Sequence, residues 1–119
     1  MKLPGPDHPI TNTPNRRRVR VRFGGRVVAD TTGALTLQEA AYPAVQYIPR
    51  ADADMALLRR TERTTHCPYK GEASYFSMEA GGRRADNAVW SYEQPYPAMA
   101  AIAGYLAFYP DRVDAIEED

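Results

Sequence analysis

The sequence predicts a mainly β protein: a compact antiparallel β domain, built as two packed sheets or one strongly bent sheet, with one or two short helices. Short segments in which apolar and polar residues alternate recur along the chain, as expected of half-buried strands. Turn signals rich in glycine and proline separate these segments at the spacing of an all-β domain. Two glycine pairs, Gly24-Gly25 and Gly81-Gly82, stand where tight hairpins would reverse the chain.

The N-terminal residues differ from the rest of the chain. Residues 1–14 include four prolines and show neither a helical nor an alternating pattern, so we predict an extended arm over residues 1–15. Residues 16–119 contain no dividing linker and no internal repeat, and we expect them to form a single β domain.

The first half of this domain is predicted as a meander of strands. Val19, Val21 and Phe23 alternate with arginines, which indicates a strand with one buried face. The arginines then form its solvated face, an interpretation we favour over a nucleic-acid surface because the whole chain is neutral. Further strands are predicted over residues 26–30, 34–39 and 45–48.

The second half is predicted to add strands and short helical turns. The expected elements are a brief helix capped by Asp52, strands over residues 59–65, 72–78 and 88–92, helical turns over 98–103, and a last hairpin that joins 105–109 to 113–116 around Pro110-Asp111. The buried core is expected to include Val19, Val21, Phe23, Val27, Leu35, Leu37, Phe76 and Leu106.

Composition narrows the classes of function. Fifteen basic and fifteen acidic side chains cancel in 119 residues, so no global field attracts nucleic acid or anionic lipid. No apolar run approaches the roughly 20 residues that cross a bilayer. The proline-rich N-terminus is unlike a signal peptide, and a lone cysteine forms no internal disulfide. We therefore expect a cytoplasmic protein with no nucleic-acid or membrane partner.

The segment His66-Cys67-Pro68-Tyr69-Lys70-Gly71 holds the candidate catalytic residues His66, Cys67 and Lys70. Pro68 and Gly71 favour a tight turn, whose ends lie within about 7 Å of each other. An ammonium that faces a thiol across such a turn favours the reactive thiolate. His66 is a candidate base only if its ring reaches the same side, since neighbours on a strand point to opposite faces. The alternative is a buried cysteine beside a solvated lysine.

Aromatic residues near this turn are the candidate ligand-binding residues. Tyr75 and Trp90 can stand on one side of a sheet if their strands pair across Gly81-Gly82, and Tyr92 shares the face of Trp90. Tyr96, held between two prolines, and Glu72 complete the set. Planar walls with polar donors suit a small planar or anionic ligand. The alternative is that these aromatic side chains form the core.

No cofactor or metal site is predicted. One cysteine and two histidines, with His8 in the arm, cannot supply four zinc ligands in spaced pairs. The glycine-rich motifs that cradle phosphates are absent. Asp52 and Asp54 have the spacing of a metal-binding pair, but capping a helix explains them more simply.

Three motifs resemble one known family. Thr65-His66-Cys67-Pro68-Tyr69-Lys70-Gly71, Trp90-Ser91-Tyr92-Glu93 and the segment 108–113 (FYPDRV) are similar to the DUF427 family of small, mostly bacterial proteins. The resemblance runs from about Arg18 to Glu117 and leaves the arm outside. It implies a compact β-rich domain. Family descriptions carry a nucleotidyltransferase-like label but no established function, so the resemblance implies no reaction and no catalytic residue.

Two hypotheses of function follow. In the first, the protein binds an unknown small molecule between Tyr75, Trp90 and Tyr92, with His66, Cys67 and Lys70 at the polar mouth, and whether it is an enzyme stays open. In the second, it is a non-enzymatic interaction or structural module in which these residues are core and turn. Exposed strand edges are compatible with a homodimer in either case.

Overall fold

The structure, a computed structural model, describes residues Met1–Asp119 and confirms the mainly β prediction. Its ten strands are β1 (Ile10–Asn15), β2 (Val19–Phe23), β3 (Arg26–Thr31), β4 (Ala34–Glu39), β5 (Val45–Tyr47), β6 (Leu58–Cys67), β7 (Gly71–Ala80), β8 (Arg83–Ser91), β9 (Ala107–Phe108) and β10 (Ala115–Glu118). The only helices are short 3₁₀ segments, at Arg50–Asp52, Met55–Leu57, Pro97–Ile102 and Pro110–Arg112. None of them is long or apolar enough to cross a membrane.

Hydrogen bonding divides the strands into three antiparallel sheets. Their orders are β1-β4-β5, β10-β2-β3 and β6-β7-β8-β9. Isolated bridges join Ala29 on β3 to Ala53, in the loop that follows the first 3₁₀ segment, and join Ile48, next to β5, to Leu106, next to β9. The sheets close around one large apolar cluster, while a smaller cluster lies beneath the turn that joins β6 to β7.

Two glycine hairpins fix the geometry at one end of the molecule. Gly24 and Gly25, with φ of 60° and 76°, close the β2–β3 hairpin, and Gly81 and Gly82 close β7–β8 with the same values. Positive φ at both turn positions strongly favours glycine. The two turns also touch: a Cβ on Gly24 would lie 2.1 Å from the Ala80 carbonyl oxygen. A side chain there would therefore force the two hairpins apart.

The chain end does not form the expected hairpin with residues 105–109. Instead β9 pairs with β8, and β10 pairs with β2, so that Glu117 lies opposite Arg20. Ion pairs between the arginine face of β2 and the acidic end stabilise this arrangement, including Arg22 Nε to Glu117 Oε1 at 2.7 Å. The arginine stripe is thus largely neutralised within the protein.

Two further local predictions need correction. Residues 10–15 are extended, but they are strand β1 of a sheet, because their backbone pairs with β4. Asp52 does not cap a helix: its carboxylate accepts a hydrogen bond from Thr31 Oγ1 at 2.7 Å. The cap is Asp54, whose side chain accepts from the Ala56 amide.

Most of the predicted core is buried, and Val27 is the exception. Val19, Val21, Phe23, Leu37, Phe76 and Leu106 are at most 4% exposed, Leu35 is half-buried, and Val27 is 40% exposed. The reason is a bulge, since Val21 pairs with Ala29 while Arg22 pairs with Val27. Val28 is left as the extra residue and turns inward, with no exposed surface.

The bulge gives a matched pair of substitutions. Val28→Ala should lower the free energy of unfolding by about 2–3 kcal/mol, because it removes buried methyl groups and leaves a cavity. Val27→Ala removes the same atoms from an exposed site and should cost less than about 1 kcal/mol. Urea denaturation of both variants measures the difference. Equal losses would contradict the inward placement of Val28.

Candidate functional site

The turn between β6 and β7 is held from several sides. Cys67 lies opposite Gly71, and residues 68–70 form the loop between them. The Tyr96 amide donates to the Lys70 carbonyl at 3.0 Å, and the Lys2 amide donates to the Pro68 carbonyl at 2.7 Å. The backbone of this turn is therefore fixed by the loop after β8 and by the N-terminal residues.

Lys70 points into the protein rather than into solvent. Its side chain is 9% exposed, and its ammonium group donates to Glu39 Oε1 on β4. Lys70 Nζ also lies 3.9 Å from Cys67 Sγ, the approach that the turn implied, and 5.9 Å from the centre of the Tyr92 ring. The ammonium beside the half-buried thiol is therefore paired with a carboxylate.

Glu39 is the residue that sequence reasoning missed. Its second oxygen, Oε2, lies 2.8 Å from His8 Nε2, and the His8 ring stacks on Tyr69 at 4.2 Å between centroids. Burial opposes the charge of this carboxylate, but hydrogen bonds from Lys70 and His8 outweigh burial and lower the pKa of Glu39. Glu39 is separated by 31 residues from His8 and by 31 residues from Lys70, so no local spacing in the sequence indicates these contacts.

A cavity of about 250 Å³ opens beside this ion pair. We call it the aromatic cavity. Trp90 forms one wall, and the lining residues with polar groups are Glu39, Lys70, Tyr42, Tyr47, Tyr75, Tyr92 and Tyr109. Of the predicted ligand-binding residues, the structure brings Tyr75, Trp90 and Tyr92 together here.

The walls of the aromatic cavity are tied to each other. Tyr75 on β7 lies directly opposite Trp90 on β8, and the Trp90 indole N–H donates to the Tyr47 hydroxyl at 3.2 Å. Trp90 packs on Tyr109 with ring centroids 4.5 Å apart, and the Tyr75 and Tyr109 hydroxyls are 3.4 Å apart. Side-chain contacts therefore hold the walls in place across four different segments.

The environment sets the protonation of these phenols. Burial raises the pKa of Tyr47 and the pKa of Tyr92. Burial and the hydrogen bond with Tyr75 raise the pKa of Tyr109 to about 12. Burial would also raise the pKa of Tyr75. Hydrogen bonds with Thr65 and Tyr109, together with the positive charge of Arg63, outweigh burial and lower the pKa of Tyr75. At neutral pH the hydroxyls of Tyr47, Tyr92 and Tyr109 therefore keep their protons and can donate hydrogen bonds.

The remaining predicted site residues lie on the opposite face of the β6–β7 hairpin. His66, Glu72 and Tyr96 line an open polar cleft together with Arg60 and Glu93. His66 Nε2 lies 3.4 Å from the Tyr96 hydroxyl, and a hydrogen bond from Arg60 lowers the pKa of Glu93. Successive side chains of β6 point to opposite faces, so His66 and Cys67 lie on different sides of the strand. The structure therefore does not bring the three predicted catalytic residues together.

A larger apolar groove of about 540 Å³ lies on the other side of Trp90. Val21, Ile48, Phe108 and Ile116 line it, and Glu118 is its one charged group. The groove contains few polar groups, so the smaller aromatic cavity is the better candidate for the specific recognition of a ligand. No group of three or more His, Cys, Asp or Glu side chains is arranged to hold a metal ion.

Comparison with known families agrees with the resemblance seen in the sequence. A family model described as a domain of unknown function, DUF427, matches residues 11–119. The chain belongs to this family. The match begins at residue 11 and so includes all of β1 except Ile10, although we expected the N-terminal arm to lie outside it. None of the curated proteins compared with the chain matches it.

The Glu39–Lys70 pair predicts a pH-dependent contribution to stability. Glu39→Gln should lower the free energy of unfolding by on the order of 2–4 kcal/mol at pH 7, because Lys70 stays buried without its carboxylate. The folded pKa of Glu39 is lowered, so its contribution is complete above about pH 4.5 and is lost as the pH falls through the folded value. Urea denaturation of both proteins at several pH values should show the difference shrinking in acid.

Glu62→Gln serves as the control for this experiment. Glu62 is an exposed carboxylate on β6, and its replacement should change stability by less than about 0.5 kcal/mol. If Glu39→Gln were as mild as Glu62→Gln at pH 7, the ion pair would not contribute as described.

Proposed function

We propose that this DUF427 protein binds a small planar molecule in the aromatic cavity. The volume of about 250 Å³ suits a compound of one or two rings and is too small for a nucleotide. Tyr92 and Trp90 offer flat faces, and Lys70 offers a charged group at one end. The binding site in this proposal therefore includes Lys70 but excludes His66, Glu72 and Tyr96.

The observation that carries the proposal is the buried ion pair at the edge of an aromatic cavity. Taking Lys70 and Glu39 out of water is costly, and apolar residues of similar volume often stabilise a protein equally well. A turn that served only to reverse the chain has no need of such a pair. A pair that opens onto aromatic walls instead gives the cavity the fixed polar groups that orient a ligand.

The competing hypothesis of a structural module makes a different prediction about the same residues. If the aromatic side chains are only core, the cavity admits no solute, and small aromatic compounds leave its walls undisturbed. The protein has a single tryptophan, so the Trp90 indole N–H gives one unambiguous signal at the cavity wall. Because Trp90 also borders the apolar groove, the backbone amides of Lys70 and Tyr92 are needed to locate a ligand in the aromatic cavity.

Single-ring compounds should therefore perturb Trp90. Benzoate, benzamide and benzylamine, each added up to 20 mM to ¹⁵N-labelled protein, test the proposal by two-dimensional NMR. At least one compound should shift the Trp90 indole N–H and the Lys70 and Tyr92 amides saturably, with a Kd on the order of 1 mM for so few atoms.

The location of the shifts decides the outcome. Perturbation confined to Ile116, in the apolar groove, or to Glu72 and Tyr96, in the polar cleft, would place binding elsewhere and contradict the proposal. Absence of any saturable shift with all three compounds would favour the structural module.

A further inference from the structure

Several hydrogen-bond donors in the lining of the aromatic cavity have no acceptor among the protein's own atoms. Tyr92 is 8% exposed, and its hydroxyl, which is not sealed from solvent, has no hydrogen-bond partner among the protein's atoms. The Tyr47 hydroxyl, on a residue that is 2% exposed, accepts from Trp90, which leaves its own proton without an acceptor. Two nearly buried phenols thus present unused donors to one cavity.

Lys70 adds a third donor. An ammonium group has three N–H bonds. One is donated to Glu39 and one points at the weak acceptor Cys67 Sγ, so one remains. Both oxygens of Glu39, the one carboxylate in the cavity lining, already contact Lys70 and His8.

We propose that the ligand of the aromatic cavity is a planar carbonyl compound, a carboxylate or an amide, that accepts hydrogen bonds from at least two of the donors Tyr92, Tyr47 and Lys70. This inference rests on the proposed function and names the chemical class of its ligand. The three donors line the same cavity, and a carbonyl or carboxylate oxygen offers the lone pairs that such donors need. A cationic ligand would instead lie beside the Lys70 ammonium, and the carboxylate that balances this ammonium is already bonded to Lys70 and His8.

The protonation of the phenols supports this choice. Burial raises the pKa of Tyr92 and that of Tyr47, so both hydroxyls keep their protons at neutral pH and cannot act as anionic acceptors. The Lys70 charge is balanced by Glu39, so the cavity as a whole is close to neutral. Both a neutral amide and a carboxylate therefore fit the same donors, and the two are distinguished by experiment.

The test compares three probes of nearly equal size. Benzoate and benzamide carry the acceptor, and benzylamine places a cation at the same position. Titrations followed by the Trp90 indole N–H should give benzoate or benzamide a Kd at least tenfold lower than that of benzylamine. If benzylamine binds as tightly as the better of the other two, the inference is overturned, although the proposed function stands. If none of the three binds, both fall.

A substitution then identifies the donors. Tyr92→Phe removes one hydroxyl and should weaken binding of the better acceptor by about threefold to tenfold, with benzylamine unchanged. Tyr47→Phe provides a second variant should Tyr92→Phe fold poorly. Tyr96→Phe is the matched control, because the Tyr96 hydroxyl lies in the polar cleft on the opposite face, and it should leave every Kd unchanged. Equal Kd values for the acceptor in wild type and in Tyr92→Phe and Tyr47→Phe would overturn the assignment.

Discussion

The ion pair between Lys70 and Glu39 is the interaction on which the arrangement of the site depends. It connects the hairpin β6–β7 to strand β4, two parts of the chain that belong to different sheets. Burying two charges is tolerated only when their remaining hydrogen-bonding capacity is satisfied. His8 satisfies the second oxygen of Glu39, and the stacking of His8 on Tyr69 brings the N-terminal residues onto the turn. The pair thus couples three distant segments of the sequence.

The position of this pair also explains why the two faces of β6 differ. Cys67 and Lys70 lie on the inner side, next to the aromatic cluster, and His66 lies outside with Glu72 and Tyr96. Trp90 separates the aromatic cavity from the apolar groove and borders both. A ligand in the aromatic cavity would be recognised by donors on Tyr92, Tyr47 and Lys70. Residues adjacent in sequence consequently serve different surfaces of the molecule.

Local patterns in the sequence were sufficient to predict much of the fold. The alternation in β2, the glycine pairs and the CPYK turn each depend on a few neighbouring residues, and the expected proximity of Lys70 to Cys67 follows from the same turn. What the sequence did not reveal depends on long-range pairing. The contact of Glu39 with Lys70, and the pairing of β10 with β2, join residues whose partners are chosen by the completed sheets. The burial of Val28 in place of Val27 depends on a bulge, which shifts the alternation by one residue.

The most direct measurement of the central claim uses the two lysines of the chain. Lys2 is exposed and Lys70 is buried against Glu39, so reductive methylation with formaldehyde and cyanoborohydride compares them within one molecule. Peptide mass spectrometry of the native protein should find Lys2 methylated while Lys70 remains unmodified, and unfolding in urea should make the two react alike. Equal methylation of Lys2 and Lys70 in the native protein would contradict the buried ion pair.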